Sequence, residues 1–180
     1  MKFTPTEIPG VVVVEPEVFE DARGLFMETF HRKKYASGGI DRAFVQDNYS
    51  LSVQGTLRGL HYQFPRPQAK LVYVLSGEIY DVAVDIRRDS PTFRQWVGIT
   101  LSAENRRQFF VPEGFAHGFC VVSETARVLY KCTDFYHPEY DRGILWSDPS
   151  LAIRWPIREP LLSAKDAGLP MLENGMTLNP

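Results

Sequence analysis

The chain has 180 residues, of which 44% are hydrophobic and 13% are aromatic. A chain of this length and composition is long enough for one sizeable apolar core and short for two, so we expect a single globular domain over residues 1–180. The formal net charge of −2 gives no general attraction to nucleic acid or to an anionic membrane. An anionic ligand would therefore have to be held by local cations.

Three features of the sequence bear on its location. No apolar stretch approaches the roughly 18 residues of a membrane span, and the start, MKFTPTEIPG, has no apolar core of a signal peptide. Cys120 and Cys132 lie in apolar strand-like segments without CxxC spacing, which favours reduced core residues over a disulfide or a metal pair. We therefore expect a cytoplasmic protein with no membrane or nucleic acid partner.

Short strand-like segments, separated by Gly, Pro, Asn and Asp, follow one another along most of the chain. They are VVVV (11–14), FVQDNYSLSV (44–53), KLVYVLSG (70–77), EIYDVAVDIR (78–87), RQWVGITL (94–101), RQFFVPEG (107–114), FAHGFCVV (115–122) and ARVLYKCTDFY (126–136). In EIYDVAVDIR, apolar residues alternate with positions that include Asp81 and Asp85, which predicts one apolar face and one face that carries carboxylates. Helical signals are limited to 31–37 and 163–168. This pattern predicts an all-β sandwich or barrel with short peripheral helices.

One stretch, RGLHYQFPRPQAK, brings several polar side chains close together in sequence. It contains an arginine, a histidine, a glutamine and a lysine, which are Arg58, His61, Gln63 and Lys70. Two prolines and a glycine in the same stretch disfavour a helix. Four such groups in thirteen residues point to a functional site, although an ordinary core role for the histidine is the alternative.

The spacing of the histidines bears on whether this site binds a metal. PEGFAHGF (112–119) resembles the second motif of cupin barrels, and His61 falls where the first motif would be. A metal-binding cupin would need His-x-His and a following Glu in that first motif. Here Gln63 stands two residues after the histidine, and the next charged group in the coming strand is Lys70. A cation does not ligate a metal ion, so we expect a site without metal.

Several longer motifs occur in order along the chain. They are DARGLFMETF (21–30), QDNYS (46–50), RGLHYQ (58–63), PEGFAHGF (112–119), TDFYHPEYDRGILWSDPSLAIRWP (133–156) and LSAKDAGLP (162–170). Together they resemble the dTDP-4-dehydrorhamnose 3,5-epimerase family over nearly the whole chain. The resemblance implies a cupin-like jelly-roll β-barrel, homodimeric and without cofactor or metal. It implies a dTDP-4-keto-6-deoxyglucose substrate that is epimerised at C3 and C5 in dTDP-L-rhamnose biosynthesis.

The chemistry of such a substrate defines what the site must contain. Removing the hydrogen on C3 or C5 of a 4-keto sugar gives an enolate with its charge on O4, so a base and an oxyanion partner are needed. The imidazole of histidine titrates near neutrality, which makes His61 the expected base. Lys70 is the expected partner of the enolate oxygen, because a fixed ammonium stabilises charge that develops there.

The resemblance implies the remaining catalytic roles. Asp166 would orient His61 through the second ring nitrogen, and an ordinary carboxylate at a helix start is the alternative. Tyr136 matches the family's proton donor, which would return a proton to the opposite face of the sugar. An ordinary core aromatic is the alternative for this tyrosine.

The resemblance also implies contacts with the nucleotide, its diphosphate and the sugar. Guanidinium and ammonium groups suit the diphosphate, and aromatic rings can stack on the base. The implied contact residues are Phe19, Arg23, Phe26, Glu28, Gln46, Asp47, Asn48, Arg58, His117 and Lys165. Asp141 stands where the family usually has Glu, and we retain this shorter carboxylate as a further candidate.

Quaternary structure and specificity are the remaining expectations. With the family, we expect a two-fold dimer in which the segment from Phe19 to Glu28 completes a neighbour's site. Two alternatives stay open: a metal-dependent or non-catalytic cupin, and an epimerase that acts at C3 only or at C5 only. The sequence discriminates poorly between one and two epimerisations, because the same base and enolate partner serve both carbons.

Overall fold

The alternation of apolar and polar residues along short, closely spaced strands folds the chain into antiparallel sheets. The computed structural model describes residues 1–172, so residues 173–180 of the expected domain lie outside the described part. The strands are β1 (Lys2–Pro5), β2 (Val12–Glu15), β3 (Val18–Asp21), β4 (Gly24–Met27), β5 (Gln46–Val53), β6 (Leu57–Gln63), β7 (Lys70–Ser76), β8 (Glu78–Asp85), β9 (Trp96–Ser102), β10 (Gln108–Val111), β11 (Phe115–Val121), β12 (Thr125–Cys132) and β13 (Asp141–Gly143). The helices are α1 (Arg32–Ser37) and α2 (Ala164–Ala167), with a 3₁₀ turn at Pro138–Tyr140.

Two large sheets form the barrel. The six-stranded sheet has the order β1-β2-β10-β7-β12-β5, and the five-stranded sheet has the order β13-β6-β11-β8-β9. Strands β3 and β4 form a separate hairpin. Every strand pair is antiparallel, and successive strands cross from one sheet to the other, which is a jelly-roll arrangement. The prediction of an all-β fold with short peripheral helices is confirmed.

Three apolar clusters hold the sheets in place. The first lies between the sheets and includes Phe109, Phe115 and Phe119, all nearly inaccessible to solvent. The second covers the outer face of the five-stranded sheet, where Val82 and Leu60 pack under the C-terminal segment. The third lies on the outer face of the six-stranded sheet, under the first helix. Both sheets are therefore buried on most of both faces, and the C-terminal segment is part of the packed structure.

The strand EIYDVAVDIR illustrates this double burial. Val82 and Val84 belong to the outer cluster, whereas Ala83 belongs to the cluster between the sheets. Asp81 and Asp85 are both fully buried. Asp81 lies on the inner face, so the carboxylate-bearing face predicted from the alternation points into the barrel.

All eight predicted strands are present, with ends that differ by a few residues. The largest difference is in ARVLYKCTDFY, where the strand ends at Cys132 and leaves Tyr136 in the following loop. Five strands were not predicted: β1, β3, β4, β6 and β13. Strand β6 was missed because RGLHYQ mixes charged, glycine and aromatic positions without a clean alternation.

Gly59 in β6 is required by the close approach of the neighbouring strand. Its φ is +132°, and a Cβ atom there would lie 2.5 Å from the Cα of Gly118 in β11. The two backbones therefore meet without side chains between them. This close approach places the following residues of β6 against β11, where His61 and His117 are register partners.

We predict that Gly59→Ala destabilises the protein strongly, because it adds a backbone clash to an unfavourable φ. Gly24→Ala is the matched control: its φ is +123°, but nothing lies within 4 Å of the added Cβ. Strain alone should cost about 1–3 kcal/mol in both variants. The clash should cost Gly59→Ala about 1–3 kcal/mol more. Thermal unfolding would measure the difference, and equal melting temperatures would contradict the clash.

Candidate active site

A cavity of about 350 Å³ opens where the two sheets meet. Its lining comes from strands of both sheets and from the loops that follow them. The lining residues are Gln46, Asn48, His61, Tyr62, Gln63, Gln68, Lys70, Tyr130, Cys132, Tyr136, Asp141 and Lys165. Seven of the predicted site residues are among them, so the fold brings together side chains that are far apart in sequence.

A second hollow, of about 780 Å³, lies near the proline-rich loop after β6. Its described lining contains neither histidine nor lysine. Its Arg66 and Arg87 are matched by carboxylates, because they form ion pairs with Asp134 and Asp85. The smaller cavity is therefore the candidate active site.

His61 is paired with a buried carboxylate. Its Nε2 lies 2.5 Å from Oδ1 of Asp166, whose residue is 4% exposed. Ser163 caps α2 and accepts a hydrogen bond from the backbone N–H of Asp166 at 3.0 Å, which fixes the carboxylate over the ring. Burial raises the pKa of Asp166, but the hydrogen bonds from His61 and Ser163 outweigh it, and the pKa is lowered overall. An ionised Asp166 keeps the proton on Nε2, which leaves Nδ1 as the ring nitrogen that can accept one.

Lys70 is a cation without a counterion in the cavity. It begins β7, where it is half-buried and lies opposite Cys132 of β12 in the strand register. Within residues 1–172, no carboxylate lies at ion-pair distance from its ammonium group. Burial lowers its pKa below the ordinary value of 10.5, although Cys132, Asp81 and Asp141 act in the opposite direction. Negative charge placed in the cavity would therefore be attracted to a partly desolvated ammonium.

A second histidine–carboxylate pair lies beneath the first. His117 Nε2 is 2.6 Å from Oδ1 of Asp81, and both side chains are buried. Burial lowers the pKa of His117, while the charge of Asp81 opposes that change. His117 does not line the cavity, although it was predicted as a substrate contact. The structure places it opposite His61 in the adjacent strand.

Tyr136 and Lys165 share one carboxylate at the cavity mouth. The Tyr136 hydroxyl donates to Oδ2 of Asp141 at 2.9 Å, and the Lys165 ammonium bonds the same oxygen. The hydrogen bond to Asp141 raises the pKa of Tyr136. The shorter carboxylate at position 141 thus still reaches both partners. Tyr136 itself is 51% exposed.

Tyr130 is a cavity residue that the sequence analysis missed. It lies on β12, half-buried, on the inner face that Val128 and Cys132 share. Burial is the main cause of its raised pKa. The alternation in ARVLYKC indicates only its inward direction, since the same period that buries Ala126 and Val128 turns Tyr130 inward. Tyr62 and Gln68 were also missed, and both lie inside the stretch from 58 to 70.

The predicted nucleotide contacts separate into two groups. Gln46 and Asn48 line the cavity, and they are joined by a hydrogen bond of 3.0 Å. Asp47, between them, points outward and pairs with Lys131. Arg58 is exposed, and its Nε donates to the Ser52 hydroxyl at 3.1 Å.

The other predicted contacts lie on or beside the β3–β4 hairpin, away from the cavity of their own chain. Phe19 and Phe26 are register partners and are 55% and 67% exposed. Arg23 pairs with Asp21 of the same hairpin. Among the described residues that line the cavity, none comes from this hairpin. Glu28, just after it, forms an ion pair with a lysine of α1.

Metal and membrane features were also sought in the part of the chain that the structure describes. Between residues 1 and 172, no three His, Cys, Asp or Glu side chains converge as a metal site would require. In the same range, no helix has the length and apolar character to cross a membrane. Gln63 stands where a metal-binding cupin would have its second histidine, and its amide group is hydrogen-bonded to main-chain groups.

The arrangement defines a class of enzyme. A histidine paired with a carboxylate, a lysine without a carboxylate at ion-pair distance in the described residues and three tyrosines surround one cavity in a jelly-roll barrel. These groups can remove a proton beside a carbonyl, hold the resulting oxyanion and return a proton. That chemistry is characteristic of an isomerase that acts on a carbonyl compound.

Comparison with known proteins agrees with this class. A family model described as dTDP-4-dehydrorhamnose 3,5-epimerase matches residues 5–174. The chain is 56% identical over 168 residues to the dTDP-4-dehydrorhamnose 3,5-epimerase of Shigella flexneri, which covers 92% of this chain and 93% of the relative. The chain belongs to the dTDP-4-dehydrorhamnose 3,5-epimerase family.

Solved structures give the same result for the fold. The crystal structure of dTDP-6-deoxy-D-glucose-3,5-epimerase from Legionella pneumophila, in complex with dTDP-4-keto-L-rhamnose, has a TM-score of 0.92 at 53% identity and covers 94% of this chain and 92% of that chain. The 3'-monoepimerase ChmJ from Streptomyces bikiniensis, in complex with dTDP-quinovose, has a TM-score of 0.87 at 33% identity, over 93% and 86% of the two chains. The prediction of a cupin-like jelly roll is confirmed.

We predict that activity declines at alkaline pH because the Lys70 ammonium is lost. Its pKa is lowered, so the charge disappears at a lower pH than in an ordinary lysine. Tyr130 has a raised pKa and stays protonated in that range. The guanidinium of Lys70→Arg keeps its charge up to about pH 12, so its alkaline decline should move to higher pH even though its activity at neutrality is lower. Profiles of kcat against pH for both proteins test this. An alkaline decline at the same pH in both would contradict the assignment of that decline to Lys70.

Proposed function

We propose that the chain epimerises dTDP-4-dehydro-6-deoxy-D-glucose at C3 and C5 and thereby produces dTDP-4-dehydro-L-rhamnose for dTDP-L-rhamnose biosynthesis. One observation carries the proposal. In a chain of this family, His61 is held by buried Asp166 in the same cavity as the uncompensated Lys70. The reaction is an isomerisation that needs no cofactor, because each proton that is removed is replaced by another.

His61 is the base in this proposal. Nδ1 of the ring takes the proton from C3 or C5, while Asp166 holds the other nitrogen and stabilises the imidazolium that forms. A positioned general base of this kind contributes roughly 10²–10⁴ in rate. Because Asp166 is itself held by Ser163, the ring is oriented before the substrate arrives.

Lys70 stabilises the enolate that forms when the proton leaves. The charge of the enolate resides on O4 of the sugar, and an ammonium fixed near that oxygen stabilises the charge as it develops. A single donor placed in this way contributes about 3–4 kcal/mol to the transition state. The same base and the same lysine can serve both carbons, since C3 and C5 flank one carbonyl.

Inversion also requires an acid on the opposite face of the ring, and two tyrosines are candidates. Tyr136 is the predicted donor, but it lies in a loop at the exposed mouth with its hydroxyl bonded to Asp141. Tyr130 projects from the six-stranded sheet, whereas His61 projects from the facing five-stranded sheet. A sugar held between the sheets would have the base on one side and Tyr130 on the other. We therefore place Tyr130 beside Tyr136 as a second candidate, and this geometry favours it.

We predict that isotope exchange separates these roles. In D₂O, His61→Ala should abolish both deuterium uptake at C3 and C5 and epimer formation, because no enolate forms. Replacement of the acid by Phe should preserve uptake with retention while inversion falls steeply, since only the opposite-face proton is missing. The measurement is NMR of the sugar product, with Tyr130→Phe and Tyr136→Phe compared in parallel.

The comparison of the two tyrosine variants gives distinct outcomes. Loss of inversion in Tyr130→Phe alone would assign the acid to Tyr130, and the reverse result would assign it to Tyr136. Deuterium uptake at the wild-type rate in His61→Ala would refute the assignment of His61 as the base. Deuterium at both carbons of the wild-type product, with chelator present throughout, would also separate the proposed activity from a single epimerisation and from a metal-dependent reaction.

The proposal includes a homodimer with shared sites. The hairpin exposes Phe19 and Phe26 and contributes no lining residue to the described cavity of its own chain. Edge strand β5 exposes Tyr49, Leu51 and Val53 on one face, which gives an apolar surface that a second copy could cover. These features support a two-fold dimer in which each hairpin supplies nucleotide contacts to the neighbouring cavity.

We predict that two inactive chains complement each other. Arg23→Ala removes a hairpin cation and His61→Ala removes the base, so a mixed dimer has one intact site if the sites are shared. Random mixing in equal amounts makes half of the dimers mixed, and one of their two sites is intact. The expected activity is therefore about a quarter of wild type. Activity that stays at the level of the separate variants would contradict shared sites.

Two further properties belong to the same proposal. The family model spans residues 5–174, which supports one domain over nearly the whole chain. A cytoplasmic location is supported by Cys120 and Cys132, which are free and buried.

A further inference from the structure

Gln63 has every hydrogen-bonding group of its side chain engaged. The residue is 4% exposed. Its Nε2 donates to the carbonyl oxygens of Arg66 at 2.7 Å and Phe135 at 3.1 Å. Its Oε1 accepts from the backbone N–H of His137 at 2.8 Å. A buried side chain with three bonds to the main chain of two loops is part of the structural frame of the cavity.

The bonded groups of Gln63 flank the catalytic candidate at the mouth. Phe135 and His137 are the residues on either side of Tyr136, so one amide holds the peptide groups before and after it. The backbone N–H of Tyr136 donates to Oε1 of Gln46 at 2.9 Å. Tyr136 is thus fixed through its main chain as well as through its hydroxyl.

Two further side chains connect the loop after β6 to the loop that carries Tyr136. Gln68 Nε2 donates to the carbonyl oxygen of Asp134 at 2.7 Å. Arg66 forms a bidentate pair with the Asp134 carboxylate. The segment that follows the base in sequence therefore holds the loop that carries Tyr136.

Only an amide satisfies the three partners of Gln63. Two carbonyl oxygens require two donors, and one N–H requires an acceptor. An ionised carboxylate has no donor, and a neutral imidazole has one donor and one acceptor. The residue at the position where a metal-binding barrel would place a ligand is thus matched in its chemistry to main-chain groups.

We propose that Gln63 is a positioning residue that fixes the Tyr136 loop relative to the base. His61 and Gln63 both line the cavity from β6, and they are two positions apart on the strand, so they share one face. Tyr62 between them packs against the outer cluster and also reaches the cavity lining. Because the base and this amide lie on one face of one strand, the amide sets the distance from the base to the cavity mouth. The inference rests on the proposed function for its catalytic consequence and on geometry alone for the positioning.

The test is Gln63→Glu, which keeps the size and shape of the side chain and removes both donors. At neutral pH, a carboxylate would face two carbonyl oxygens, so kcat/KM should fall about tenfold to hundredfold. As the pH falls and the introduced carboxyl gains a proton, one donor returns. The ratio of variant to wild-type activity should then rise.

Two further measurements identify the route of the effect. In a Tyr136→Ala background, Gln63→Glu should lower kcat/KM by less than about threefold, because the side chain that Gln63 positions is already absent. Amide hydrogen exchange at Tyr136 and His137 should be at least about tenfold faster in Gln63→Glu, while amides of β8 are unchanged. Gln54→Glu is the matched control, since Gln54 is an exposed amide that bonds a single carbonyl, that of Val122, far along the chain.

The outcomes distinguish this inference from the proposed function. Unchanged exchange at Tyr136 and His137 would overturn the positioning role whether or not the enzyme is active. Fully additive effects in the double variant would overturn it as well. An inactive wild-type protein would instead contradict the proposed function. If Gln63→Glu does not fold, Gln63→Met, which keeps the side-chain length and removes all three bonds, supports the inference by faster exchange at the same two amides and overturns it by unchanged exchange.

Discussion

The hydrogen bond between His61 and Asp166 is the interaction on which the site depends. It joins residues 105 positions apart, one on a barrel strand and one on a helix of a single turn. A helix of that length has no stability of its own, so the packing of the C-terminal segment must hold it. Just before that helix, the Leu161 N–H donates to the carbonyl oxygen of Gly55, and the Leu161 carbonyl oxygen accepts from the N–H of Leu57. The pairing of His61 with Asp166 thus depends on the hydrogen bonds that tie the C-terminal segment to the barrel.

The buried charges are arranged so that the cavity favours anions. Each histidine near the site is matched by a carboxylate, at 2.5 Å for the upper pair and 2.6 Å for the lower pair. Lys70 is not matched by a carboxylate at ion-pair distance within residues 1–172. Its charge is therefore available to a substrate oxygen. Lys165 is held by Asp141 at the mouth, where a diphosphate group could compete for it.

The sequence predicted the parts of this structure that depend on local pattern. Eight strands and both helices follow from alternation and capping. Of the four polar residues first noted between positions 58 and 70, His61, Gln63 and Lys70 line one cavity, whereas Arg58 does not. Strand β6 was missed because its glycine serves a backbone approach to β11, which no periodicity reveals. Tyr130 was overlooked because a tyrosine in an alternating strand resembles any core aromatic.

Other site features could not be read from the sequence because they depend on distant partners. His117 was predicted as a substrate contact, and the structure shows it paired with Asp81, an arrangement that depends on the register of β8 and β11. The hairpin residues Arg23 and Phe26 have no place in the described cavity of their own chain. The bonds from Gln63 to the rim span more than seventy residues. Such contacts follow from topology, and one sequence without the fold does not specify them.

The long separation between His61 and Asp166 also has a consequence for biosynthesis. Chains fold largely from the N-terminus while they are being made, and contacts between distant residues form late because loop closure is costly. Within residues 1–172, all thirteen strands precede α2 in the chain. A nascent barrel could therefore assemble its sheets before Asp166, the partner of His61, has been synthesised. The histidine–carboxylate pair is in this sense a late feature of the fold, completed when α2 docks on an already formed barrel.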